Sequence, residues 1–203
     1  MILNLACIVE GHGEVQAVPV LLRRIATEID AECHLEIPPP IRAKRQRLVK
    51  ENTGELQRSL ELALRKTPFP RAVLILIDAD EDCPAELGPK LLQSAKKLRS
   101  DAIVSVVIAK MEFEAWFLAA FPSLSGKRGL KNELPAISNP EDIRDAKKTI
   151  TGFMEKNRAY SETNDQAAFA AGFDCHLARC SVSFNKFWCE VERLLNEASG
   201  SPL

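Results

Sequence analysis

The run Leu74-Ile75-Leu76-Ile77 stops abruptly in Asp78, Ala79, Asp80, Glu81 and Asp82. Consecutive aliphatic residues with β-branched members suit a strand buried on both faces, and such strands belong mostly to parallel sheets with helices on each side. The aspartates then stand at the carboxyl end of that strand, the edge at which open α/β sheets bind ligands. Carboxylates gathered there repel one another unless a cation neutralises them. Mg2+ suits such a site, with Mn2+ as a substitute, because hard divalent ions take carboxylate oxygens and keep waters that substrate phosphates replace. For an isolated Asp-x-Asp, a solvated acidic loop capping the next helix is the plain alternative.

The rest of the chain supports the sheet. Leu3 to Val9 is nearly all apolar and reads as a first buried strand, followed by Glu10-Gly11-His12-Gly13-Glu14 and a helix with Val15, Val18, Leu21, Leu22, Ile25 and Ile29 at spacings of three and four. Strand, glycine-containing turn and helix open a βαβ unit. His34 to Ile37 predicts a short second strand, closed by Pro38-Pro39-Pro40 because proline supplies no ladder donor. Leu56 to Leu64 predicts a helix before the Ala72 to Ile77 strand, Leu87 to Leu98 a third helix, and Ala102 to Ala109 a fourth strand. A helix is expected over Glu112 to Phe121, and further helices near Glu141 to Lys156, Asp165 to Phe173 and Phe184 to Ala198, with a frayed end at Ser199 to Pro202. The expected architecture is α/β, a mainly parallel four-stranded sheet flanked by helices over residues 1–122, with a helical extension over 123–203 packed on it as one structural unit.

At 203 residues the chain can bury a sizeable core, and its formal net charge of -1 gives no global pull toward nucleic acid or membrane. No apolar run reaches the roughly 18 residues of a membrane span, and no basic segment precedes a hydrophobic one at the amino terminus, so a cytoplasmic protein is expected. Cys7, Cys33, Cys83, Cys175, Cys180 and Cys189 include no CxxC pair, so reduced thiols are expected and a zinc site at Cys175-His176 with Cys180 and Cys189 is disfavoured.

Three acidic clusters fall at three expected strand ends: Glu10 and Glu14, then Asp78, Asp80 and Asp82, then Glu112 and Glu114. In a parallel sheet those ends share one edge, so the clusters converge on one crevice, where unneutralised repulsion would cost several kcal/mol, roughly. Taken singly, Glu14, Glu112 and Glu114 are equally explained as first-turn acids that complement a helix dipole.

Val9-Glu10-Gly11 at one strand end and Ile77-Asp78-Ala79-Asp80 at a later one resemble the TOPRIM domain of topoisomerases, primases and nucleases over roughly the first half of the chain, to about Leu118. The resemblance implies acid/base or metal roles for Glu10 and magnesium binding by Asp78 and Asp80. Glu14 matches a second glutamate of TOPRIM nucleases related to the overcoming-lysogenization-defect family, whose turn Glu-Gly-x-Thr-Glu is here Glu-Gly-His-Gly-Glu, without the hydroxyl. Across the whole chain, Ile108 to Leu118, Arg144 to Lys148, Tyr160 to Gln166 and Ser183-Phe184 are similar to the bacterial family known as domain of unknown function 4276. That family is regarded as TOPRIM-like and often accompanies a predicted AAA-type ATPase. The resemblance therefore implies a nuclease in phage defence or DNA maintenance whose ATP hydrolysis belongs to another chain, in keeping with the lack of a GxxxxGK[ST] loop here.

Phosphodiester hydrolysis needs charge stabilisation on the phosphate, an activated water, and a proton for the leaving oxygen. Metal on Glu10, Asp78 and Asp80 would supply the first two, with Glu14, Asp82, Glu112 or Glu114 completing the shell. Lys110 or His12 is a candidate proton donor or phosphate contact, although each is equally a solvated residue. Arg42, Lys44, Arg45, Arg47 and Lys50 form the densest basic run and are expected, as a loop, to hold a nucleic-acid backbone, DNA before RNA. Trp116 and Phe117 read as core, and Tyr160 as an exposed residue with no legible role. A TOPRIM-like binding or regulatory subunit with little catalysis is the rival reading, and the altered His12-Gly13 turn is its support.

Overall fold

A computed structural model describes residues 2–30, 32, 34–51, 53–68 and 71–199. In chain order the elements are β1 (Ile2–Val9), α1 (Glu14–Ile29), β2 (His34–Glu36), β3 (Ile41–Arg42), α2 (Arg45–Val49), α3 (Glu55–Lys66), β4 (Arg71–Asp78), α4 (Pro84–Leu98), β5 (Ile103–Ala109), α5 (Ala115–Ala119), α6 (Ala146–Gly152), α7 (Glu162–Gly172), α8 (Cys175–Ala178) and α9 (Val182–Ser199). The sheet runs β2-β1-β4-β5 with every pairing parallel, and β3 adds a short fifth strand against the end of β1, Ile8 facing Ile41 and Val9 facing Arg42.

Side-chain alternation divides the sheet into two faces, as a strand period of two requires. Leu3, Leu5, Cys7 and Val9 of β1, Leu74 and Leu76 of β4, and Val107 of β5 enter a core shared with α1, α5, α7 and α9. Ala6 and Ile8, Val73, Ile75 and Ile77, and Val106 and Ile108 enter a second core beneath α3 and α4. The residues after 122 thus form part of one outer layer of a three-layer sandwich. That layer holds the aromatic side chains: Trp116 packs against Phe113, Phe184 and Phe187, and Phe117 against Phe169 and Phe173, with ring centroids 4.7–5.5 Å apart. Burying each such side chain contributes about 1.5–3 kcal/mol, and the edge-on pairs Trp116–Phe184, Phe117–Phe169 and Phe117–Phe173 add to it. Trp116 donates its indole N–H to Ser183 Oγ at 2.8 Å, so the buried ring leaves no orphan donor.

Several elements depart from the sequence expectation. The helix expected over Glu112 to Phe121 is reduced to α5 and a following 3₁₀ turn, because the chain leaves β5 through Met111 at φ +63 and the Phe113 N–H is taken by Asp78. The helix expected over Glu141 to Lys156 breaks into a 3₁₀ turn at Pro140–Asp142 and α6. Its early residues are pinned elsewhere: Glu141 Oε1 accepts the Ser181 hydroxyl, the Ser183 N–H and the Ser183 hydroxyl at the start of α9. The basic run from Arg42 is no loop but the end of β3 and the short α2. α7 and α9 begin at Glu162 and Val182, earlier than periodicity alone suggests. Cys7, Cys83, Cys175, Cys180 and Cys189 are free thiols, and burial pushes Cys7 up to about 12; Cys33 and residues 200–203 lie outside the described residues. Among the described residues, no helix is long and apolar enough to cross a membrane.

Candidate functional site

Parallel register sets the site. Val9 lies beside Leu76, and Asp78 beside Ala109, so β1, β4 and β5 all end at one edge and release their acidic turns together. The turns are themselves unusual: Asp80 at φ +49 and Met111 at φ +63 are both left-handed, and the Asp80 N–H donates to the Met111 carbonyl at 3.2 Å. Aspartate tolerates that conformation, whereas methionine there is uncommon and marks a backbone held by its surroundings.

At the first turn, Glu14 is 4% exposed and its Oε2 accepts the N–H groups of Glu10 and Gly11 at 3.0 and 3.2 Å. Burial pushes its carboxyl up to about 7 against those hydrogen bonds, and the Glu114 and Glu10 charges push the same way. Gly13 is demanded by packing: a Cβ there would stand 2.3 Å from Gln166 Oε1 and 2.4 Å from the Glu162 carbonyl, at the start of α7. A threonine at this position, as in the turn the sequence resembles, would collide with α7. Glu10 is half-buried, and burial followed by the Asp80 charge raises its pKa, while Arg45 and Lys147 draw it down.

At the second turn, Asp78 Oδ1 accepts the Phe113 N–H at 2.9 Å, joining β4 to the turn after β5. Burial, then Glu14 and Glu114, hold the Asp78 carboxyl well above the usual range. Asp80 and Asp82 are exposed, and Arg45 reaches both: Nη1 stands 3.4 Å from Asp80 and Nη2 bonds Asp82. The same guanidinium, 11% exposed, donates to the carbonyls of Asp78 and Ala79 at 2.9 Å each.

At the third turn, Glu114 is 1% exposed; its Oε1 accepts the Tyr160 hydroxyl at 3.0 Å and the Gln166 amide at 3.1 Å. Burial pushes it up to about 7 despite the opposing pull of Lys147. Glu112 is half-buried and raised chiefly by burial, with one hydrogen bond from the Lys147 main-chain N–H. Glu10 likewise receives the Arg45 main-chain N–H. Each of these two glutamates keeps a buried Oε2 with no hydrogen-bond partner.

Lys147, on α6, is the residue sequence reading missed. Its ammonium lies 3.1 Å from Glu162 and 3.9 Å from Glu114. Burial acts to lower its pKa, but Glu114, Glu162 and Asp78 outweigh that and hold it above the usual lysine range. Tyr160, expected to be exposed, is half-buried, stacks on Phe169 and bonds Glu114; burial followed by the Glu114 charge keeps it protonated. Lys110 turns to Asp142 at 3.2 Å, and His12 is exposed. Arg42, Lys44, Arg47 and Lys50 are exposed on and around α2, whereas Arg45 is committed to the strand end.

The donors are all carboxylate oxygens, the preference of a hard divalent cation, and the bare Oε2 atoms of Glu10 and Glu112 suit one. Among the described residues no three His, Cys, Asp or Glu side chains stand close enough together to hold an ion by themselves. What the unpartnered Oε2 atoms of Glu10 and Glu112 fit is a magnesium-type ion held by one or two carboxylates, with waters filling the rest of its shell.

A parallel α/β sheet with acidic turns at adjoining strand ends defines an α/β protein with a carboxylate-rich sheet edge, an arrangement consistent with a TOPRIM-like fold. A model of the family described as domain of unknown function (DUF4276) matches residues 9–192, and the chain belongs to that family. No curated protein and no solved structure matches it.

Proposed function

We propose that the chain is a Mg2+-dependent phosphodiesterase acting on nucleic acid, DNA in the first instance, as a TOPRIM-like nuclease that works with a separate AAA-type ATPase in phage defence or DNA maintenance. The observation that supports this reading is that Glu10, Asp78, Asp80, Glu112 and Glu114 issue from three strand ends at one edge of the sheet, with burial and mutual repulsion raising Glu10, Asp78, Glu112 and Glu114. Such a cluster is costly unless its charge is used.

Glu10 or Glu112, whose Oε2 atoms are bare, would hold the metal directly, with the remaining carboxylates, Asp80 among them, reaching its waters; the ion would polarise a phosphate oxygen and lower the pKa of a bound water. Asp78 positions, through the Phe113 N–H, the turn that carries Glu112 and Glu114. Arg45 fixes the main chain at Asp78 and Ala79, so Asp80 is presented from a rigid turn. Lys147 offers the crevice an ammonium that stays charged and can meet a phosphate oxygen or the charge developing on it. Glu114, raised to about 7, can hold or release a proton at its carboxylate near neutral pH.

A binding or regulatory subunit with little catalysis is the second reading. It is favoured by the pairing of Arg45 with Asp80 and Asp82 and of Lys147 with Glu114, which partly balances the cluster without any ion. Cleavage of supercoiled and single-stranded DNA with Mg2+ or Mn2+, wild type beside Asp80→Ala, separates the two. Metal-dependent cutting that is lost in the variant supports the nuclease. Metal binding by calorimetry with no cutting, alone or with a co-encoded ATPase, supports the subunit.

A further inference from the structure

Two loops beyond the crevice carry charge that the catalytic reading does not use. The first, residues 126–131, holds Lys127, Arg128 and Lys131 and no acid; the second, residues 152–158, holds Lys156 and Arg158 against Glu155. The loops are tied by the Leu130–Met154 antiparallel bridge, by Lys131 N–H to the Phe153 carbonyl at 3.0 Å, and by Glu155 N–H to the Gly129 carbonyl at 2.8 Å. Gly129 sits at φ +80, a conformation that favours glycine, and Arg158 lies across it, 2.4 Å from where a Cβ would stand.

The way these cations are held is informative. Lys127 donates to the Gly172 carbonyl at 2.6 Å, Arg128 to the Asn164 carbonyl at 2.9 Å, and Lys131 to the Gly152 carbonyl at 3.3 Å. Carbonyls fix a cation's position without cancelling its charge. One buried carboxylate, Asp165, serves both Arg128 at 3.5 Å and Arg158 at 2.9 Å, which leaves a positive excess. All five basic side chains are exposed.

Their location is fixed relative to the crevice. Arg158 is two residues before Tyr160, whose hydroxyl is 3.0 Å from Glu114, and Asp165 lies in the first turn of α7, which begins at Glu162 beside Lys147. Leu130, Ala146 and Met154 belong to the core on the α1 face, whereas Ala43 and Leu48, which flank the basic residues of α2, belong to the core on the α3 face. The two basic surfaces therefore stand on opposite faces of the sheet, with the acidic strand ends between them.

We propose that the paired loops 126–131 and 152–158 form a second phosphate-backbone contact, so that a nucleic acid crosses the crevice from the α2 surface to this one. This rests on the nucleic-acid reading above. Lys127, Arg128 and Lys131 placed by carbonyls, with Asp165 shared between two arginines, leave a net positive surface that matches a polyanion and displaces its condensed counterions. The contact is to phosphates, so it carries position and not sequence.

The test is binding of fluorescent DNA and RNA oligonucleotides of one sequence, single-stranded and duplex, by anisotropy in EDTA so that no cleavage occurs. Wild type is compared with Lys127→Gln/Lys131→Gln and with Lys96→Gln/Lys97→Gln, an equal charge change at the far end of α4. The loop pair is expected to weaken binding about tenfold at low salt and to reduce the slope of log affinity against log salt by about 1.8 for duplex and about 1.4 for single strands. The α4 pair is expected to change neither. Unaltered affinity and slope in the loop variant, with firm wild-type binding, overturn this inference and leave the nucleic-acid reading standing. Equal losses in both variants likewise overturn it in favour of diffuse charge. Absence of wild-type binding to any oligonucleotide overturns both. The DNA and RNA arms report which polymer supplies the phosphates.

Discussion

Asp78 accepts the main-chain N–H of Phe113 at 2.9 Å, so a crevice carboxylate also fastens the turn after β5 to the end of β4. Charge and acceptor can be separated by substitution. Asp78→Asn keeps a carbonyl acceptor and removes a carboxyl whose ionisation burial and its neighbours oppose, whereas Asp78→Ala leaves the Phe113 N–H without its partner. In metal-free buffer at pH 7.5, thermal unfolding is expected to find Asp78→Asn as stable as wild type or more so, and Asp78→Ala less stable by about 1–3 kcal/mol. Equal destabilisation of both would contradict the repulsion.

Glu14 and Glu114 give a pH dependence of definite sign. Each has a folded pKa of about 7, above its ordinary value of 4.5, with burial as the main cause. Between those values the folded protein binds more protons than the unfolded chain, so stability falls as pH rises from about 4.5 to about 7 and then levels. The slope is on the order of 1 kcal/mol per pH unit for each group. Denaturation in EDTA should show this decline, and Mg2+ should restore stability at pH 7.5 more than at pH 5. A stability that rises through this window would refute the assignment.

Arg45 holds two carbonyls and two carboxylates with one guanidinium. Arg45→Gln should cost about 2–4 kcal/mol in urea unfolding, because charged hydrogen bonds to the main chain at the end of β4 are lost. Arg45→Lys should recover little of it, since an ammonium cannot reproduce the fork. An unchanged midpoint in Arg45→Gln would show that the guanidinium is not a structural clamp.

Gly13→Ala places a methyl carbon against the Glu162 carbonyl and the Gln166 side chain. The first turn of α7 must then move, and with it the residues that bond Glu114 and Lys147. A loss of about 1–3 kcal/mol is expected, together with weaker metal binding. Gly152→Ala serves as a control for glycine replacement, since nothing lies within 4 Å of a Cβ there and its backbone is not left-handed. A Gly13→Ala protein that matches wild type in both measurements would remove packing as the reason for this turn.

The parts of the fold legible in sequence were those whose burial is two-sided. The apolar runs of β1, broken only by Asn4, and of β4 could suit little else, and their ends named the acidic clusters. β3 escaped notice because its two residues, Ile41 and Arg42, are too few for any period, and its existence depends on pairing with Ile8 and Val9. The expected helix at Glu112 is displaced because Asp78 takes an N–H that a helix start would otherwise leave to water or a cap. Lys147 and Tyr160 lie in stretches that carry the family resemblance, but nothing local in those stretches signals their contacts with Glu114. Their roles arise only when α6 and α7 pack across the strand ends, which no spacing within 144–166 reveals.

Convergence of three strand ends on one ion is the central claim, and calorimetric titration of Mn2+ into wild type, Glu10→Gln, Asp80→Asn and Glu112→Gln tests it most directly. If the turns build one site, wild type shows a saturable binding event and each single substitution weakens that same event, by tenfold or more. Undiminished binding in all three variants, or dependence on the Asp80 turn alone, would contradict the account.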